Sequence, residues 1–465
     1  MVCQNGEVKK IMKKKWLSVS ASSIVIASLL AGCSSGGNST TPSKAPASTA
    51  AATAASTPAA PVTIKFLNWE KASVYQPAID AFEKKYPNIK VQYVPLVEND
   101  SNETLKKIDI MYASGEDFDV FSVNSTPTFS QRATNGMLEP LDAYMSKENV
   151  KYEDEYKAEQ MKVNGKRYSL PGKFGPWFVI LNKTQLDAAG LAVPKSWTWD
   201  EFRDYAKKLT KGDGPSKQYG VFFHTWKDYF LLRQYSSPKN QGIMTDDGTK
   251  LNADNPLMKS SLELRYVMEH DDKSSKPYQD VITQKIPYRD EYFQGKASML
   301  PTGPWMISEA GGTDKIPATF VTAFAPWPTN NKGDENYSFG SADPLVMSAN
   351  SKHKQEAYTF LRFLSTEGMG LTKQLSAWKK TDLNKELDQI IAATKTPDKI
   401  DKASLVNTLT VSKLPDPPIA VSYAADLEKA YIAESEKYIL GATDIDTTLK
   451  NIKTNLQKII DANKK

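Results

Sequence analysis

From Val62 onward, apolar positions recur with two different spacings, and their alternation sets the reading of the chain. Val62 to Leu67 is a β-branched and aromatic run that predicts a strand; Ala78, Ile79, Phe82 and Tyr86 then share one helical stripe, which Pro87 ends. Ile89 to Pro95 predicts a second strand, about Thr104 to Ala113 a second helix, and Phe118 to Val123 a third strand. Strand, helix, strand, helix, strand predicts an α/β fold with parallel pairing through right-handed crossovers. Further strands are expected at Phe178 to Leu181, Tyr219 to Phe223, Ala318 to Phe324 and Leu345 to Met347. Thr198-Trp199-Asp200-Glu201 has capping-box spacing ahead of Phe202, Tyr205 and Leu209, and the chain ends in a helix with Leu449, Ile452, Leu456 and Ile460 on one face. No internal repeat interrupts this order.

Before Val62 the pattern changes. Lys13, Lys14 and Lys15 form a basic stretch, and Leu17 to Leu30 an apolar one that is too short and too serine-rich for a bilayer-spanning helix. Leu30-Ala31-Gly32-Cys33 follows and resembles the lipobox of a bacterial lipoprotein signal, which implies removal of residues 1–32 and diacylation of Cys33. Met12, directly ahead of the lysines, is an alternative initiator to Met1, and an uncleaved anchor is the alternative to processing. Ser34 to Pro61 is almost wholly Ser, Thr, Ala, Pro and Gly, a composition that cannot bury enough apolar surface to offset its ordering entropy. Residues 33–61 therefore read as a lipidated cysteine and a flexible tether, with a reach of about 30 Å for such a coil. Cys3 and Cys33 are the only cysteines, so no disulfide is expected in the exported chain.

Composition narrows the classes. The 465 residues are 40% hydrophobic, 24% charged and 10% aromatic, an ordinary globular balance with room for two or more domains. The net charge of +5 falls to +1 once residues 1–32, with five lysines and Glu7, are set aside, which leaves no electrostatic signature of a nucleic-acid partner. There is no glycine-rich phosphate loop, HExxH, cysteine pair or GxSxG elbow, and His224, His270 and His353 are too scattered for a local metal motif. No cofactor or metal is expected. His224 ends the apolar run Val221-Phe222-Phe223 and reads as a satisfied core or cleft histidine rather than a ligand. Asp117 and Asp119 could form a glycosidase-like carboxylate pair, but Asp117 fits the turn after Gly115. Asp246-Asp247-Gly248-Thr249 lacks the downstream ligands of a calcium loop and reads as a turn.

Tryptophan is the informative residue. Trp69, Trp177, Trp226, Trp305 and Trp378 stand at strand or loop ends, and ligands of open parallel sheets bind outside the carboxyl ends of strands. An indole offers a broad apolar face to the C–H face of a sugar ring and a donor at its edge. Trp197 and Trp199, flanking the capping box, read as core packing.

Several stretches resemble one family. The lipobox, Ile64-Lys65-Phe66-Leu67-Asn68-Trp69, Phe82-Glu83-Lys84-Lys85-Tyr86-Pro87-Asn88-Ile89, Phe118-Asp119-Val120 and Ile180-Leu181-Asn182-Lys183 are similar to bacterial solute-binding proteins. The subset is family 1, the sugar receptors of ABC importers related to maltose-binding protein. Phe293-Gln294-Gly295-Lys296-Ala297-Ser298-Met299 leading to Gly303-Pro304-Trp305, and Ala357 to Ser365, strengthen the resemblance, which runs from about residue 62 to the C-terminus.

The resemblance implies two α/β lobes of the type II binding-protein fold, each a mixed or parallel sheet flanked by helices, hinged around a cleft that closes on its ligand. It implies residues 62–169 plus 322–368 in the N-terminal lobe and 170–321 plus 369–465 in the C-terminal lobe, with crossings near Tyr168 to Gly175 and Ala318 to Pro328. Carried over by position, the ligand-binding residues would be Trp69, Glu70, Asn124, Ser125, Trp177, Trp226, Gly303, Trp305, Ser341 and Asp343, with Trp378 and Tyr75 as further candidates. The implied activity is capture of a carbohydrate and delivery to an ABC permease by a monomer that performs no chemistry and is lipid-anchored outside the cell membrane. The alternatives are a surface-anchored glycan-degrading enzyme and a receptor for a non-sugar solute, such as a peptide or polyamine.

Overall fold

Two mixed sheets organise the chain. The computed structural model describes residues 61–157, 159–312 and 317–463, with only the backbone described at Ser341 and Ala342; the expected signal peptide, Cys33 and the tether up to residue 60 lie outside the described residues. The strands are β1 (Val62–Asn68), β2 (Ile89–Pro95), β3 (Val120–Ser122), β4 (Ser169–Pro176), β5 (Phe178–Asn182), β6 (Tyr219–Val221), β7 (Ala297–Thr302), β8 (Thr322–Pro326) and β9 (Gly340–Met347). The first sheet has the order β2-β1-β3-β9-β4 and the second β6-β7-β5-β8. β1 pairs in parallel with β2 and β3, as the strand–helix alternation predicts, while β9 runs antiparallel to β3 and β4. In the second sheet β6 and β7 are parallel, and β5 runs against both β7 and β8.

Helices cover both faces of each sheet because the central strands alternate between two cores. Val179 and Leu181 of β5 point into one core and Phe178 and Ile180 into the other. β1 sends Ile64 and Phe66 to one side of the first sheet and Leu67 to the opposite side. The helix Ala72–Lys85 buries Tyr75, Ala78, Ile79 and Phe82, three of them on the predicted stripe. The helix Trp199–Leu209 begins with the reciprocal Thr198–Glu201 capping box, and Trp199 is fully buried with its indole N–H donating to Ser236 Oγ at 2.8 Å. Trp197 donates to the carbonyl of Pro326, so both indoles take the packing role expected of them. The C-terminal helix Ile445–Asn463 buries Ile452, Leu456 and Ile460.

The passages between sheets differ from the expected boundaries. β4 is a strand of the first sheet through Pro176, and β5 opens the second at Phe178, so the first passage occupies the single residue Trp177. β4 reads Ser-Leu-Pro-Gly-Lys-Phe-Gly-Pro and would be a poor central strand, but it lies on the sheet edge, where proline's missing N–H costs no ladder bond. Thr322–Pro326, expected to open the return to the first lobe, pairs along the whole of β5 in the second sheet instead. Its Ala323 and Ala325 fit the close space against one core, and Phe324 packs edge-on to Phe178 at 5.5 Å in the other. The chain regains the first sheet only with β9. Around the expected last passage at residue 369 the packing is mixed: Met369 and Ala377 join the first sheet's core, and Leu375, Leu387 and Ile390 the second's.

A second junction links the two bodies away from Trp177. The helix Thr126–Thr134 packs on the helix Ala424–Ile439, Ser130 Oγ donates to the carbonyl of Val421 at 2.6 Å, and Ala420 packs against the core beneath the first helix.

β6 can lie on the helix Trp199–Leu209 only because residue 220 has no side chain: a Cβ there would stand 1.9 Å from the carbonyl oxygen of Ala206. Gly220→Ala is expected to destabilise the protein by about 3 kcal/mol, the upper end of ordinary overpacking. Urea unfolding measures this, and an unchanged midpoint would contradict the packing described.

Candidate functional site

The carboxyl ends of β1 and β3 form one edge of the first sheet, and Asn68 shapes it. Its Nδ2 donates to Ser122 Oγ of β3 at 2.8 Å, and its Oδ1 accepts from the backbone N–H groups of Trp69 and Glu70 at 2.6 and 2.9 Å. The chain therefore turns sharply off β1, with the Tyr93 hydroxyl holding the Glu70 carbonyl.

Lys173 meets this turn from β4. The β4–β9 register shifts between Pro171 and Phe174, a bulge that re-aims the intervening side chain. Gly172 permits it, since a Cβ there would approach the Asp343 carbonyl oxygen to 2.7 Å. Lys173 Nζ then donates to Glu70 Oε1 at 2.9 Å and pairs with Asp343 Oδ2 at 3.0 Å, 5.9 Å from the centre of the Trp69 ring. The Lys173 ammonium holds the Glu70 carboxyl below its usual range. Burial pushes the more deeply set Asp343 up despite the same partner. For Lys173 burial acts downward, but Asp343 and Glu70 outweigh it and hold the ammonium protonated. Tyr75 lies against this cluster, its hydroxyl pushed up by burial.

Asn124 and Ser125 follow β3 on the same edge. Asn124 donates to Ser101 Oγ and Asn102 Oδ1, both at 2.8 Å, and Thr128 ties the pair together. Asp343, expected in a loop before Leu345, lies within β9; of Ser341 only its backbone pairing with Gly175 is described.

The second sheet presents an aromatic edge. Trp177 precedes β5, Trp226 follows β6, Trp305 follows β7 and Trp327 follows β8, and the strand directions put all four at one end. Trp177 is 3% exposed and packs edge-on against Trp305, Phe339, Tyr229, Trp226 and Trp327 at 5.3 to 6.2 Å. It supports the neighbouring rings and offers no open face. Trp226 and Trp305 are half-buried, 6.0 Å apart, and Trp305 donates to the Tyr288 hydroxyl at 3.2 Å. Gly303 is required for that pose, because a Cβ would lie 2.1 Å from the Trp305 ring. His224 completes the group, 4.3 Å from Trp226 and 5.3 Å from Tyr288. Burial, with Arg265 and Arg289 nearby, lowers its pKa to about 3, so the imidazole is neutral. The Tyr288 hydroxyl is pushed up to about 12 by burial.

The two edges meet. Lys173 of the first sheet and Pro304, Trp305 and Ser308 of the second line one narrow hollow of about 10 Å3, room for about one water. Arg289, held by Glu309 through bonds of 2.6 and 2.7 Å, adds its field to that of Lys173 on Glu70. A larger hollow of about 510 Å3, walled by Tyr219, Lys276 and Glu291, opens at the opposite ends of β6 and β7 and contains none of these residues. Trp378 is not gathered in: its indole donates to Glu155 at 3.0 Å and Lys380 stands over its ring. Lys173, Tyr288 and Arg289 escaped the sequence reading. Lys173 alone had a signal, a lone charge inside a Pro-Gly-rich apolar stretch.

Arg265, 1% exposed on the helix Pro256–His270, fixes the segment that carries His224 and Trp226. It donates to the carbonyls of Tyr229 and His224 at 3.1 and 3.2 Å, with its guanidinium 4.3 Å from the Phe230 ring centre. Arg265→Met leaves both carbonyls without a donor, at about 1–3 kcal/mol each. Chemical unfolding is expected to register a loss in that range, together with a shift in tryptophan fluorescence; wild-type values of both would refute the pinning.

Comparison with known proteins agrees with this architecture. The profile of the bacterial extracellular solute-binding protein family matches residues 68–370. A binding protein of Brucella abortus is 26% identical over 298 residues, which span 61% of this chain and 66% of that protein, just under two thirds of its length. The multiple sugar-binding protein of Streptococcus mutans is 25% identical over 66% of this chain and 71% of its own. Among solved structures, an ABC substrate-binding protein of Listeria monocytogenes in complex with cycloalternan superimposes with a TM-score of 0.71 at 24% identity, covering 86% of this chain and 99% of that one.

Proposed function

Because the chain belongs to the bacterial extracellular solute-binding protein family, we propose that it captures a carbohydrate outside the cytoplasm and hands it to an ABC permease. The observation that carries this reading is the pairing of unlike edges: Trp226, Trp305 and Tyr288 on the second sheet oppose Glu70, Lys173 and Asp343 on the first. A sugar ring needs both. Its C–H face stacks on indole, and each hydroxyl taken from water without a partner costs about 1–3 kcal/mol.

The family groups binding proteins rather than enzymes, and this favours capture over the glycan-cleaving alternative. The Streptococcus mutans relative, named for multiple sugars, supports a saccharide over a peptide or polyamine. In this reading the ligand is an oligosaccharide and the two lobes close on it by swinging about β4 and β5. Asn124 and Ser125 contribute hydrogen bonds, and the protein acts as a monomer tethered through lipid on Cys33.

Isothermal titration against neutral mono- and oligosaccharides is the test. At least one is expected to bind with a stoichiometry of one, and silence across the panel would reject the reading. Trp305→Ala is expected to weaken that ligand by about 2 kcal/mol or more, as loss of a buried aromatic anchor does. An unchanged dissociation constant would remove Trp305 from the site.

A further inference from the structure

Resting on the carbohydrate reading, we infer that the cleft admits uncharged saccharides and refuses anionic ones: uronates, sulfated sugars and sugar phosphates. An anion leaving water needs a cation or a set of donors that is not already committed. Neither cation at the meeting of the two edges is uncommitted. Lys173 lies between two carboxylates at 2.9 and 3.0 Å and is about one-tenth exposed. Arg289 is held through its Nε and one Nη by both oxygens of Glu309, which neutralises its charge, and it lies against the Tyr288 ring, 4.6 Å from its centre.

The remaining groups point the same way. Three carboxylates, Glu70, Asp343 and Glu309, face two cations, so the local balance is acidic. The Lys173 bond takes Glu70 Oε1, and Oε2 makes no hydrogen bond among the described residues, which leaves an acceptor for a hydroxyl. The neutral His224 supplies no positive charge. Arg265 is spent on two backbone carbonyls. Lys373, on the rim of the narrow hollow, is exposed, and its charge is screened by water. A ligand carboxylate, sulfate or phosphate would therefore meet acceptors in surplus, whereas free hydroxyls donate to those same acceptors.

The experiment titrates the wild-type protein with maltotriose, cellotriose, xylotriose and mannotriose, and in parallel with trigalacturonate, an aldouronate of xylose and glucose 6-phosphate. The expected result is binding of at least one neutral sugar, with every anionic probe at least 100-fold weaker. Glu309→Gln is then expected to raise the affinity of the best anionic probe, relative to the neutral ligand, by about tenfold, because it frees Arg289. Asp343→Asn, which also removes a negative charge, is the second variant should Glu309→Gln unfold on heating earlier than wild type, with the same rise in the ratio of anionic to neutral affinity expected. An anionic probe that binds as tightly as the neutral sugars overturns the inference and leaves the carbohydrate reading standing. Absence of binding by both sets removes the carbohydrate reading, and the inference falls with it.

Discussion

Everything at the cleft depends on the passage from β4 to β5 taking one residue. β4 ends at Pro176 in the first sheet and β5 begins at Phe178 in the second, so the two sheets cannot drift apart at this point. The strand directions then bring the end of β1 that carries Glu70 toward the end of β7 that carries Trp305. Trp177, the residue in between, is buried under five aromatic neighbours, and its ring anchors the connector to the second body. Gly175 lets the junction close, since a Cβ there would come within 3.1 Å of the Pro304 side chain.

The two edges divide the physical work. The first offers charge locked into a cluster: Lys173 neutralises two carboxylates that would otherwise repel each other, which keeps them ionisable and aimed. The second offers ring faces and edges with few charges, and the Trp305 indole is already bonded to the Tyr288 hydroxyl. Under the proposed function, such an arrangement would limit reorganisation on binding, because the side chains are already oriented.

How much of this was legible in the residues depended on how local the signal was. The strands β1 and β2 and the Thr198–Glu201 cap follow from short-range patterns and form where the pattern puts them. β7 was not foreseen as a strand, because Ala297-Ser298-Met299-Leu300-Pro301-Thr302 has weak strand preference and is held by pairing with β5 and β6. β8 is claimed by the second sheet through contacts with Phe178, which lies more than 140 residues earlier in the chain. The tryptophans stood out as a group, yet nothing local separated Trp177 and Trp378 from Trp226 and Trp305. Only the folded neighbours make one a support and leave another apart. Tyr288 and Arg289 carry no motif at all, since they reach the site through the short helix Tyr288–Phe293 rather than a strand end.

The contact of the helix Thr126–Thr134 with the helix Ala424–Ile439 has a kinetic consequence. It joins the bodies at a second place besides Trp177, so a rotation about the connector would strain it, and the Ser130–Val421 bond with it. Any such rotation would forfeit the free energy of that contact, so its strength would bear on the balance between the two arrangements as well as on the rate of passing between them.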